Sequence, residues 1–206
     1  MTRDPISTEP TSEPATEPAT EEPPREPTDP FTSLDGLRDH ERVAHERTER
    51  AFPDESFENL RRRYDAIAGV YQVGLTTPDG AVLLVGDDDW ALPGGEVLAG
   101  EEWRAVARGE LERLFGVEVA LGGVLRLLDG EFTREGDAAD RFVAPCVFFG
   151  ASLQDPDDAF VTHPTFADDL DHPLYGDGSG FDIGWFDTVP DDANPNHVDD
   201  IESFLG

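Results

Sequence analysis

The stretch from Leu92 to Val117, LPGGEVLAGEEWRAVARGELERLFGV, constrains this chain most, because a glycine-rich turn runs straight into an amphipathic helix. Trp103, Val106, Ala107, Leu111, Leu114 and Phe115 recur at helical spacing and predict one core-facing stripe. Such a stripe must be laid on another layer, and the flanking segments supply it. Upstream, IAGVYQVGLTT and AVLLVGD are apolar runs separated by Pro78-Asp79-Gly80, a turn signal, and predict a hairpin starting near Ile67. Downstream, VALGGVLRLLDGEF and FVAPCVFFGASL predict two strands. DIGWFDTVP predicts a last short strand, and NHVDDIESFLG a closing helix capped by Asn196. Strands flanking helices in this order predict a layered α/β domain over residues 66–206.

Three segments stand outside that pattern. Residues 1–30 are dominated by Pro, Glu and Thr, cannot bury enough apolar surface to offset the entropy of ordering, and predict a disordered acidic tail. Residues 31–65 carry a charged pattern that predicts a helical N-terminal extension in two pieces, the second capped around Asp54 with Phe57 and Leu60 facing inward. Residues 154–180 have little periodicity and many Asp, and predict an acidic loop insertion.

Charge narrows the setting. The chain has 46 Asp and Glu against 15 basic residues, all of them Arg, for a formal net charge of −31. Self-repulsion on that scale opposes compaction at ordinary ionic strength. At molar salt the Debye length falls to about 3 Å and the repulsion largely vanishes. An acidic, Lys-free chain therefore fits the salt-crowded cytoplasm of a halophilic archaeon-like cell. The same balance argues against nucleic-acid binding, which needs Lys and Arg on phosphates, and against an anionic membrane surface. A lone Cys146 forms no internal disulfide, and no long apolar run suggests a membrane span or secretion signal.

The Leu92–Val117 stretch resembles the Nudix box: Gly, five residues, Glu, seven residues, Arg-Glu-aliphatic, one residue, Glu-Glu, one residue, Gly-aliphatic. Gly95 opens it, Glu101 is the first acid, Glu110 and Leu111 fill the middle, and Gly116 with Val117 closes it. The preceding Leu92-Pro93-Gly94 is also usual in that family. Three positions depart: Gly109 replaces the Arg, and Arg113 and Leu114 replace the paired Glu. The resemblance implies a Nudix-type α/β/α sandwich with a mixed sheet. It also implies hydrolysis of a phosphoanhydride in a nucleoside diphosphate derivative, with Mg²⁺ or Mn²⁺ bridging the diphosphate. Glu110 and Glu101 would then be the catalytic and metal-ligating residues, and Gly94, Gly95 and Arg126 would contact the nucleotide-like substrate.

The departures bear on that chemistry. Carboxylates three and four apart share a helix face, so acids at 110, 113 and 114 would converge on a cation. Here Arg113 repels one and Leu114 offers no oxygen. Glu112 points elsewhere and joins Glu101, Arg104 and Arg108 in a row that reads as a solvated, ion-paired face. Glu110 borders the apolar stripe, where an acid needs either an ion or a hydrogen-bonding partner. Glu96 and Glu102 could reach a metal from the loop and first turn. Arg126, Arg134 and Arg141 could meet a diphosphate or pair on the surface. His163 and His172 could share a metal or sit in solvent. Two functions stand side by side: a hydrolase with an impaired catalytic helix, and a catalytically inactive module that binds a nucleotide or a protein partner.

Overall fold

A computed structural model describes residues 34–87, 89–155 and 159–205; the predicted tail lies outside them. The chain runs α1 (Leu34–Arg38), β1 (Ala44–Phe52), α2 (Asp54–Ala66), β2 (Ile67–Thr76), β3 (Val82–Gly86), β4 (Trp90–Ala91), β5 (Gly94–Leu98), α3 (Trp103–Phe115), β6 (Val119–Arg134), β7 (Asp137–Leu153), a single 3₁₀ turn (Ala159–Val161), β8 (Asp182–Phe186) and α4 (Val198–Glu202). The strands form one eight-stranded mixed sheet ordered β1-β6-β7-β2-β3-β4, with β5 paired to β2 and β8 to β3. This is the mixed α/β architecture that the sequence predicts.

Strand β2 shows how the sheet is covered on both sides. Alternate residues face opposite sides of a pleat. Tyr71, Val73 and Leu75 join Leu83, Val85, Val147 and Phe149 in the cluster beneath α3. On the opposite face, Val82, Leu84, Cys146 and Phe148 pack with Ile201 of α4, and Phe204 covers Gly74. Burial on both faces gives β2 and β3 their near-continuous apolar sequence. The sheet is therefore a layer between helices. The turn between β2 and β3 forms at Pro78-Asp79-Gly80, closed by Thr77 N–H donating to the Ala81 carbonyl at 2.9 Å, with Gly80 at φ 89°.

The predicted extension differs. Ala44–Phe52, expected to be helical, is a strand lying parallel to β6 in continuous register from Ala44↔Arg126 to Phe52↔Arg134. Its mixed-charge sequence suits a helix locally, but ladder bonding to β6 overrides propensity. Arg38 of α1 ties down the start of this segment with a two-pronged pair to the buried Asp129 carboxylate, 2.9 Å each. Helix α2 does form, but Asp54 sits in its first turn and accepts from Arg134 at 2.9 Å, while Pro53 holds the cap position without a side-chain bond. Asn196 does not cap α4 either. Its amide oxygen accepts from Arg50 at 2.8 Å, and His197 precedes the helix.

Candidate functional site

Helix α3 is fixed at both ends. The Glu102 carboxylate caps its start by accepting from the N–H groups of Arg104 (3.0 Å) and Ala105 (2.6 Å). Gly116 ends it in the left-handed conformation at φ 67°. Trp103, Ala107, Leu111, Leu114 and Phe115 are buried as the spacing predicts. Burying that stripe turns Glu110 and Arg113 together to the helix edge that faces β5 and the segment after β7.

Glu110 has the partner its border position requires. Its carboxylate accepts from Arg113 Nη2 at 2.7 Å and faces His172 Nε2 at 3.0 Å. The backbone N–H groups of Leu174 and Tyr175 donate to His172 Nδ1 at 3.0 and 3.3 Å. That leaves the ring proton on Nε2, donated to Glu110. Burial, helped by the Arg113 charge, lowers the His172 pKa against the opposing pull of Glu110, so the ring is neutral at pH 7.

Within the acidic segment, residues 159–180 thus form an anchored strap across α3, not a solvated insertion. Arg113 Nη1 donates to the Asp171 carbonyl at 2.8 Å, and Ala167 N–H donates to the Leu114 carbonyl at 2.8 Å. Phe115 packs on Phe160 and Phe166, with ring centres 5.5 and 6.0 Å apart. Tyr175 meets Phe166, Phe181 and His172 within 5.8 Å. The aromatic residues interspersed among the Asp residues supply this anchorage.

The third side of the site is β5. A Cβ on Gly94 would lie 2.4 Å from the Tyr71 carbonyl oxygen, and one on Gly95 would lie 2.8 Å from the Tyr71 hydroxyl. Both glycines are needed for β5 to close against β2. Tyr71 is buried, and that burial, with the nearby Glu110 carboxylate, pushes its hydroxyl pKa well up, so it stays protonated. Together Tyr71, Gly95 and Glu96, Glu110 and Arg113, and His172, Pro173 and Leu174 enclose a cleft of about 180 Å³. Wider grooves of about 340 Å³ beside Arg104 and Arg108, and about 570 Å³ between β1 and β7, lie away from Glu110 and the glycine loop.

The residues expected to act together separate into two groups. Glu110 and Gly95 line the cleft, and Gly94 supports it from beneath. Glu101 stands outside, its carboxylate accepting from Leu98 N–H at 2.8 Å to close the loop. Arg126 lies over the Phe148 ring at 4.0 Å on the α4 side, paired with Asp200 and Glu46. Glu102 is spent as the helix cap. Glu96 faces the cleft but pairs with Arg63 at 2.5 Å. Arg134 and Arg141 are engaged in ion pairs, with Asp54, Glu58 and Asp140 and with Glu131. His163 contacts Thr162, and His172 serves Glu110, so the two histidines do not share a site. The sequence reading missed the Arg113–Glu110 pair, although an acid and an Arg three apart on a helix signal it.

With Arg113 on Glu110 and Arg63 on Glu96, this donor set does not fit a divalent cation. The one carboxylate retained from the motif helix already holds a guanidinium and an imidazole N–H, and Leu114 is in the core. Among the described residues, no three His, Cys, Asp or Glu side chains are gathered as a metal site.

No family model matches the chain, and no curated protein matches it. Solved structures with a similar layout include the E. coli dihydroneopterin triphosphate pyrophosphohydrolase (15% identity, covering 68% of this chain and 96% of that one, TM-score 0.45). A UDP-X diphosphatase is similar at 18% identity, 73% and 68% coverage and TM-score 0.42. MutT from Aliivibrio salmonicida and Vibrio cholerae is similar at 16% identity, 66% and 95% coverage and TM-score 0.36. Likeness at this level carries nothing about the chemistry of the cleft. Among the described residues, no helix is long and apolar enough to cross a membrane.

Proposed function

We propose that this chain is a Nudix-type module that binds a nucleoside diphosphate derivative between β5 and α3 without hydrolysing it. One observation carries the reading: the Glu110 carboxylate is occupied by Arg113 and His172, so the acid that would hold a catalytic cation is neutralised from within. Gly95 lines the same cleft as Glu110, across from the motif helix. The test is diphosphate hydrolysis by the full chain with Mg²⁺ or Mn²⁺ in concentrated KCl. Substrates would span nucleoside triphosphates, ADP-ribose, dinucleotides and nucleotide sugars, with Glu110→Gln alongside. No turnover from folded protein is expected. Turnover that disappears in Glu110→Gln would replace this reading with a metal-dependent hydrolase.

A second reading keeps one specific observation in its favour. Glu96 and Glu110 reach the same cleft from β5 and α3, and two carboxylates are enough protein ligands for Mg²⁺ when substrate phosphates and water complete the shell. On that reading, hydrolysis requires Arg63 and Arg113 to swing away first.

The charge balance supports a high-salt cytoplasm as the working environment. The midpoint of thermal unfolding should climb steadily between dilute and molar KCl, and a flat profile would rule that setting out.

A further inference from the structure

We propose that Arg113 is the cleft's own cation, standing in for a divalent metal, so that the ligand's diphosphate binds without one. This rests on the nucleoside diphosphate reading above.

Three features of the cleft support it. The first is the state of the guanidinium. Arg113 gives one N–H to the Asp171 carbonyl at 2.8 Å and one to Glu110 at 2.7 Å. A guanidinium has five N–H donors in a rigid fork, so three remain for a ligand. The side chain is 41% exposed, so those donors are within reach of solvent and ligand. Held at two points, it is already oriented, and most of the entropy cost of fixing an Arg is met before the ligand arrives.

The second is local charge. In a chain of net charge −31 a cleft with two carboxylates would repel a diphosphate. Here each acid has its own guanidinium, Arg63 on Glu96 and Arg113 on Glu110. The cleft is balanced, and an incoming anion meets an oriented cation. Planar guanidinium groups bind phosphate oxygens through paired N–H bonds. A divalent ion entering the same space would instead be repelled by Arg113.

The third is size. About 180 Å³ is well below the roughly 300–1,000 Å³ of a site that engulfs a drug-sized ligand. It suits a compact group such as a diphosphate. The rest of the ligand would lie over the open rim, where Leu174 is half exposed.

The experiment is calorimetric titration of the full chain in concentrated KCl with inorganic pyrophosphate, ADP-ribose and UDP-glucose, each in EDTA and again in excess MgCl₂. Binding in EDTA is expected, with affinity for the two nucleotides changed less than about twofold by Mg²⁺. Arg113→Gln should weaken it by about tenfold or more, with Arg113→Lys between the two. Melting curves and circular dichroism establish that each variant is folded. Binding that requires Mg²⁺, or that Arg113→Gln leaves intact, overturns the role of Arg113 but keeps the nucleoside diphosphate reading. Binding of none of the three under either condition overturns that reading, and this inference with it.

Discussion

His172 Nε2 lies 3.0 Å from the Glu110 carboxylate, and that bond helps join the motif helix to a segment 62 residues further along the chain. Its direction is set by two backbone N–H groups on the other ring nitrogen. The strap therefore holds the acid as much as the acid holds the strap.

Replacing His172 by Ala removes a bond to a charged acceptor and a buried ring packed on Tyr175. It should lower stability by about 2–3 kcal/mol. Hydrogen exchange should localise the loss to residues 167–178, while β2 and β7 keep their protection. Uniform loss of protection across the sheet would contradict a strap that opens on its own.

Restoring the paired acids of the motif separates two neighbouring positions. Leu114 is 1% exposed beneath the sheet, so Leu114→Glu buries a charge without a partner and should cost about 4 kcal/mol or more. Arg113 is at the surface edge, so Arg113→Glu should leave the chain folded, with a modest loss from like charges beside Glu110. Denaturant titration of the two single variants checks the contrast, and equal losses would place Leu114 outside the core.

Asp129 gives the pH dependence its sign. The paired Arg38 guanidinium, with His45 adding to it and burial opposing, holds the Asp129 carboxyl below the usual carboxylate range. A depressed folded value stabilises the chain above the unfolded value near 4, and the contribution disappears as pH falls through the folded value. Thermal melts between pH 6 and pH 2 should therefore show a steeper acid loss in the native chain than in Asp129→Asn. Parallel curves would remove Asp129 from the linkage.

The parts of this molecule legible in its sequence are those governed by local periodicity. The α3 stripe, the Pro78-Asp79-Gly80 turn and the strand character of β6 and β7 each follow from one element's own residues. What stayed hidden depends on partners far along the chain. Arg126 looked like a substrate contact because it sits in a strand beside the motif, but register against β1 and α4 turns it to Asp200 on the other face. Glu101 matched a family position by count, and its carboxylate is used locally at Leu98. Asp-rich composition disguised the strap, because its anchors are a few aromatic rings and one histidine among many acids.

The parallel seam between β1 and β6 changes what counts as the foldable unit. Residues 44–52 are a stave of the sheet; six of these nine side chains are polar or charged, and all but His45 and Phe52 are exposed. A chain begun at Ile67 would keep every residue that lines the cleft, though not Arg63, the partner of Glu96. It would also leave the nine residues of β6 from Arg126 to Arg134 as an unguarded border of open N–H and C=O groups. The sheet's frontier is thus defended by sequence that looks dispensable, and trimming it invites neighbouring molecules to add themselves where β1 had been.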